Sequence, residues 1–295
     1  MFNFEPDFWI AFGLTGAAAL YAFFYGLFTR NYSTVDRIWS LMPGIYVLIW
    51  LPGALHSTRF LVAGFLVLAW CVRLTWNFAI KGGYARKDGR FVGEDYRWEV
   101  LRQRIPNRVA FEFFNFFFVS YYQLAQVFAF SVPLYILGKI SAPLGPWDFV
   151  LFFSQALLLT LEATADVQQF RYYRKRGTAD DARMNLGFNT YGLWRFSRHP
   201  NYVCEMGQWV VVSLYPLAAG AGWWPAGLGA AALVILFAGS TSMAEGITGG
   251  KYAAYADWKK ATPAWLPFTL PFRIGARRRF WASLGAEAAE EKARA

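Results

Sequence analysis

The sequence predicts an all-α, polytopic integral membrane protein, and three observations carry that prediction. Apolar residues make up 56% of the 295 positions, and 26 glycines add further non-polar content. Soluble globular chains have roughly 45–50% for both together. Charged residues are only 16%, against roughly 25% in ordinary domains. The apolar runs are long enough for helices across a bilayer, about 20 residues each, and too long for barrel strands. A disordered chain, a fibrous repeat, a disulfide-rich secreted module and an ordinary soluble enzyme are thereby excluded.

Seven spans are expected, near Phe8–Phe28, Val35–Leu51, Phe60–Ile80, Phe111–Leu137, Phe149–Phe170, Asn201–Ala219 and Ala226–Met243. The first is preceded by Glu5 and Asp7 rather than by a basic segment, so it does not have the form of a signal peptide. The second is short and contains Pro43, which predicts a kink or partial re-entry. With seven spans, 26 of the 29 Lys and Arg residues fall on one side, counting Arg37 at the entrance of the second span. Only Arg59 and Lys139 fall on the other, and Arg73 lies within a span. The positive-inside rule then places the N-terminus outside and the C-terminus in the cytoplasm. The net charge of +10 is thus an expression of topology.

Cys71 and Cys204 sit at membrane depth, where cysteine behaves as a small hydrophobe. The two histidines, His56 and His199, fall on opposite sides, and no metal-ligand spacing or phosphate-loop motif is present. No metal and no nucleic-acid partner are expected.

Ionisable groups inside spans are costly and point to function. Glu112, Asn115, Tyr122 and Gln126 recur in span four at helical spacing. Glu162, Asp166, Gln169 and Tyr173 do the same in span five, which ends in the basic run from Arg171 through Arg174 to Arg176. Span six opens on Arg198, His199, Pro200 and Asn201, with Glu205 one turn later. Such stripes can be interhelical hydrogen-bond glue. Three converging on one leaflet instead predict a polar pocket rimmed by Arg. Carboxylates accept from hydroxyls and amides, and guanidiniums fork onto phosphate, so a nucleotide cofactor fits. Loop 3–4 adds Arg86, Lys87 and Arg90 as anion candidates, and Glu94–Arg97 as a local salt-bridged cap.

The segment Gly192–Glu205 (GLWRFSRHPNYVCE) resembles the C-terminal domain of steroid 5α-reductases and their bacterial relatives. The resemblance extends to Glu162–Asp166, to Lys251, Tyr252 and Tyr255, and to Leu266–Phe268. Ser33–Trp39 and Glu94–Arg97 resemble the bacterial branch. Membrane methyltransferases share a similar RHPxY segment. The resemblance implies one seven-span domain over residues 1–273, with a substrate side (1–147), a cofactor signature (148–268) and a polar tail (274–295). It implies NADPH held from the cytoplasmic side, with Asp166, Asn201 and Glu205 as cofactor contacts and Tyr252 as a further one. Arg171 and Arg174 are candidates for an arginine that follows the span-five Asp, and Arg195, Arg198, His199 and Tyr202 belong to the same signature.

The departures lie on the substrate side. A Gln-Glu pair that polarises the substrate carbonyl in steroid reductases is missing from Trp39–Pro43, Trp70 stands near the place of a tyrosine, and Cys204 replaces a common Gly. The expected reaction is reduction of a conjugated C=C bond in a lipophilic, steroid- or isoprenoid-like enone entering from the bilayer. Asp36 or Tyr46 is expected to help polarise its carbonyl. A methyltransferase using S-adenosylmethionine and a non-enzymatic lipid-binding protein are the alternatives. The expected location is a bacterial inner membrane, with Arg277–Arg279 at anionic headgroups.

Overall fold

The computed structural model describes residues 4–177, 182–222 and 226–294. Among these it is almost entirely helical, its only strands being a two-residue hairpin. Five helices are long and apolar enough to cross a membrane: Pro6–Thr29, Thr58–Ile80, Arg108–Gly138, Pro146–Lys175 and Ala226–Lys251. The chain is an α-helical membrane protein.

In chain order the elements are α1 (Pro6–Thr29), α2 (Thr34–Trp39), α3 (Met42–Ala54), α4 (Thr58–Ile80), β1 (Arg86–Lys87), β2 (Arg90–Phe91) and α5 (Tyr96–Arg104). A long helix follows in three parts: α6 (Arg108–Phe114), a π-helical stretch (Asn115–Tyr122) and α7 (Gln123–Gly138). Then come α8 (Pro146–Lys175), α9 (Pro200–Ala218), α10 (Ala226–Lys251), α11 (Tyr255–Ala261) and α12 (Ile274–Arg294). The expected second span is divided: α2 stops at Trp39, and α3 restarts with Pro43 in its first turn, where a missing N–H is harmless. The π stretch alters the span-four stripe. Its wider winding sends the Ser120 hydroxyl to Asn115 Oδ1, five residues back, at 3.3 Å. Tyr122 is exposed, whereas Asn115 and Gln126 are buried.

The chain divides into two compact units, Met1–Ala156 with Trp209–Leu233, and Leu157–Gln208 with Val234–Ala295. The first has an aromatic core. Tyr46 stacks on Trp50 at 5.6 Å and meets Phe128 edge-on at 5.4 Å. Trp209 packs on Phe130 at 4.1 Å and on Trp70 at 5.0 Å. Such rings supply large buried area and favourable edge contacts. Gly229 lets α10 approach α7 closely: a Cβ there would lie 2.3 Å from the Phe130 backbone nitrogen.

One ion pair in this unit is fully enclosed. Arg59 Nε donates to Asp148 Oδ1 at 2.6 Å and Nη2 to Oδ2 at 2.8 Å, with side chains 3% and 0% exposed. Arg59 also donates to the carbonyls of Ala142 and Pro143, and Asp148 accepts from the Gly145 N–H. The fork geometry and the added bonds offset the desolvation of both charges.

In the second unit, α11 and α12 close a small core of Leu186, Phe188, Tyr255, Trp258, Phe280 and Leu284. The C-terminal stretch is therefore a docked helix where its Phe280 and Leu284 are buried.

Arg59→Met leaves Asp148 charged and unpaired, and should cost about 3–5 kcal/mol. The double variant Arg59→Met with Asp148→Leu should recover most of that loss. Unfolding titrations of the detergent-solubilised protein measure both; equal losses in the single and double variants would contradict this account.

Candidate cofactor site

The predicted cofactor residues all belong to the second unit. Helix α8 carries Asp166, buried at 6% exposure, and ends with the exposed Arg171 and Arg174. The chain then returns along 189–194. Leu193 N–H donates to Gln168 Oε1 at 2.8 Å, and Trp194 Nε1 donates to the Ala165 carbonyl at 3.1 Å. Helix α9 starts at Pro200 and runs back antiparallel to α8. Its Gln208 donates Nε2–H to Glu162 Oε2 at 2.5 Å, both side chains being buried. Asp166 lies one turn from Glu162, and Glu205 lies one turn from Gln208. At 1.5 Å rise per residue, the two carboxylates reach similar depth on facing helices. Asn201 and Gln169 follow one turn nearer the connecting segment.

This region contains polar atoms without intramolecular partners. Asn201 Oδ1, Gln169 Oε1, Asn189 Nδ2 and Thr190 Oγ1 are buried and make no hydrogen bond among the described residues. Leaving such a group unpaired costs about 1–3 kcal/mol. Two acceptors, one amide donor and one hydroxyl, beside two buried carboxylates and ahead of exposed arginines, suit a ligand with ribose hydroxyls, a carboxamide and phosphates. The residues present therefore fit a nicotinamide dinucleotide.

The signature arginine and histidine are held differently. Glu245 of α10 gathers three cationic or protonatable groups. Arg198 Nε donates to Oε1 at 2.7 Å, His199 Nε2 lies 3.2 Å from the same oxygen, and Lys259 Nζ lies 3.0 Å from Oε2. Arg198 also donates to the carbonyls of Lys259 and Thr262. The backbone N–H groups of Arg198 and His199 donate to Pro263 and Ala264 at 2.9 and 3.0 Å. His199 stacks on Tyr202 at 5.1 Å, and Tyr202 meets Phe237 edge-on at 4.8 Å. These contacts set the entry of α9, and with it the direction of Asn201 and Glu205. Arg195 instead lies over the Trp281 ring, its guanidinium carbon 5.4 Å from the centroid.

Tyr252 is placed by a glycine. Gly187 has φ +82°, and a Cβ on it would lie 2.1 Å from the Tyr252 ring, so both the turn and the close approach require glycine.

The first unit holds Asp36 and Tyr46. Asp36 accepts from Trp98 Nε1 at 2.8 Å and lies 3.8 Å from Arg97. The Thr15 hydroxyl gives its single proton to the Ala11 carbonyl, so the Tyr46 hydroxyl, 2.6 Å away, donates to Thr15. Both groups thus have internal partners. Gln126, of the span-four stripe, is 3% exposed, and neither amide atom is bonded among the described residues.

Around Asp36 lies a network in which Arg37 is central. It donates to Asn31, to Gly83 at 2.8 Å and to Gly93, and its guanidinium sits 4.2 Å from the Phe91 centroid. Glu94 accepts from Tyr32 N–H at 2.8 Å and from Arg102. Burial and the hydrogen bond to Glu112 push the Tyr32 hydroxyl above its ordinary pKa. Asp95 caps α5, accepting from Arg97 N–H at 2.9 Å. Burial acts to raise its carboxyl, but the Arg97 guanidinium outweighs that and holds it below the usual range.

Residues 22–262 match the family described as a protein of unknown function, DUF1295. The chain belongs to the DUF1295 family. An uncharacterized protein of Schizosaccharomyces pombe is 32% identical over 263 residues, covering 82% of this chain and 74% of the relative. No solved structure matches the chain. The family match spans the α8–α9 region and the Glu245 cluster, and ends at Thr262, where the carbonyl accepts from Arg198.

Glu245→Ala strands Arg198 in a buried position and should cost about 3–5 kcal/mol, whereas Glu245→Gln, which keeps an acceptor, should cost less. Equal unfolding midpoints for wild type and Glu245→Ala would refute the anchoring role. Gly187→Ala should lower the unfolding midpoint through both its left-handed φ and the Tyr252 overlap, a loss of at least about 1 kcal/mol; an unchanged midpoint would show that the ring yields freely.

Proposed function

We propose that this DUF1295 protein is an NADPH-dependent membrane reductase of a conjugated C=C bond in a lipophilic enone. The observation that carries this reading is that Asn201, Gln169, Asn189 and Thr190 each hold a buried polar atom without a partner among the described residues, on the same helices and connecting segment as Asp166 and Glu205. The resemblance to steroid 5α-reductases supports it. In this reading the chain crosses the membrane seven times, with the N-terminus outside and the cofactor site open to the cytoplasm of a bacterial cell.

NADPH supplies a hydride when bound. Asp166 and Glu205 accept hydrogen bonds from ribose hydroxyls or the carboxamide N–H, and Asn201 and Gln169 add carbonyl acceptors. Asn189 and Thr190 donate to the carboxamide oxygen or to phosphate. Arg171 and Arg174, at the exposed end of α8, neutralise phosphate charge. Glu245 positions the Arg198–Tyr202 turn and so orients Asn201 and Glu205. The apolar membrane segments keep water from the reacting carbon.

As enolate charge develops on the substrate, a donor must meet its oxygen. Asp36 is already engaged by Trp98 Nε1 and lies beside Arg97, and the Tyr46 proton is directed to Thr15. Gln126, in the same first unit, has a buried amide without a partner among the described residues, and such an N–H donor gains most from a carbonyl.

Calorimetry on the detergent-solubilised chain tests the reading. NADPH should bind at least about tenfold more tightly than NADH, through the 2′-phosphate. Asn201→Ala and Glu205→Ala should each weaken NADPH by a similar factor. Undiminished NADPH affinity in both variants would sink the proposed site, and binding of S-adenosylmethionine in place of NADPH would turn the assignment to methyl transfer.

A further inference from the structure

A second candidate ligand site lies in the same unit, where α12 begins. A cleft of about 400 Å³ is lined by Arg195, Ile274, Arg277, Arg278 and Trp281. Arg277 Nη1 donates to the Arg195 carbonyl at 2.9 Å, which ties α12 to the Gly192–Arg195 turn. Three guanidinium groups therefore border one opening. None of the ion pairs among the described residues involves Arg195, Arg277 or Arg278. Burial and the neighbouring Arg195 charge lower the Arg277 guanidinium from its ordinary pKa. Like charges that make no ion pair among the described residues are relieved by an external anion.

Two further features define that anion. Trp281 lines the cleft, its Nε1 is buried without a partner among the described residues, and an indole N–H only donates, so an acceptor oxygen suits it. The chain leading into the cleft is strongly apolar yet exposed: Phe268 is 75% exposed, Phe272 89% and Ile274 51%. Exposed aromatic and aliphatic side chains beside arginines are what the boundary between headgroups and acyl chains selects.

We propose that this cleft binds the phosphate of an anionic phospholipid, with Arg195, Arg277 and Arg278 on the phosphate oxygens, the Trp281 N–H as an added donor, and Phe268 and Phe272 among the acyl chains. Guanidinium forks match phosphate geometry. The site is separate in chemistry from the Asp166–Glu205 region, whose buried groups are mainly acceptors. It assigns Arg195 to lipid rather than to the cofactor, and it stands whether or not the protein is a reductase.

Native mass spectrometry of the full chain in neutral detergent tests this, with phosphatidylglycerol, phosphatidylcholine and inorganic phosphate as separate probes. Wild type should retain one phosphatidylglycerol at least about tenfold more tightly than phosphatidylcholine, because each arginine near an anionic headgroup adds to binding. Arg277→Ala with Arg278→Ala should abolish that preference. Trp281→Phe, which keeps the ring packing, should weaken it several-fold even if the double variant fails to fold. Equal retention of the two lipids by wild type, or an undiminished preference in Trp281→Phe and in the folded arginine variants, would overturn the proposal. Millimolar inorganic phosphate that displaces phosphatidylglycerol completely would overturn the lipid assignment in favour of a free phosphate ligand.

Discussion

The second unit depends on one buried carboxylate. Glu245 faces Arg198, His199 and Lys259, and of these the buried Arg198 and Glu245 each need the other to hold a charge in a poorly solvating interior. Through Arg198 the attraction reaches the carbonyls of Lys259 and Thr262, and the adjacent backbone pairs with Pro263 and Ala264. The segment before α9 is thereby joined to the segment after α11. Because α9 leaves that joint immediately, the carboxylate also determines where Asn201 and Glu205 point. A signature whose Arg and His have the chemistry of ligand contacts is in this protein largely the frame for the residues that follow them.

The first unit solves a related problem mostly with backbone carbonyls. Arg37 is buried, and its donors reach Gly83 and Gly93 rather than a single acid. Carbonyl dipoles solvate the charge and at the same time bind the β1–β2 hairpin to the start of α2. Arg102 and Glu94 extend the arrangement to Tyr32. Loop 3–4 is accordingly a structured part of the protein, with its exposed bases, Arg86, Lys87 and Arg90, carried on an anchored base.

Much of this was legible in the sequence, because hydrophobic length is a direct physical requirement of crossing lipid. The five longest apolar helices lie where the composition puts them. The expected span from Val35 to Leu51 did not remain continuous, since Pro43 starts a new helix more readily than it continues one. The pairing of Asp166 with Glu205 in depth was foreshadowed by their helical spacing from Glu162 and Asn201. Gln208 was missed although it sits three residues after Glu205, on the same face. Glu245 lies two residues beyond the expected last span, which ends at Met243. The useful signal was an unbalanced one: Arg198 and His199 at a helix start require an acid, and Glu245 stands in an otherwise apolar helix. Asn189 and Thr190 could be recognised only once the connecting segment was seen to fold back on α8.

The winding of Asn115–Tyr122 turns chain length into orientation. An α-helix advances about 100° per residue, so the extra residue held in this stretch sets the azimuth of everything that follows in α7 relative to α6. Gln126 and Phe130, which follow that stretch, are both buried. Loss of a single residue here would leave the helix intact and nearly as long, yet would swing the whole of α7 by roughly a quarter turn and present a different set of side chains to Trp209. In this helix an insertion or deletion acts as a rotation, and the wide turn is the record of the rotation the protein has kept.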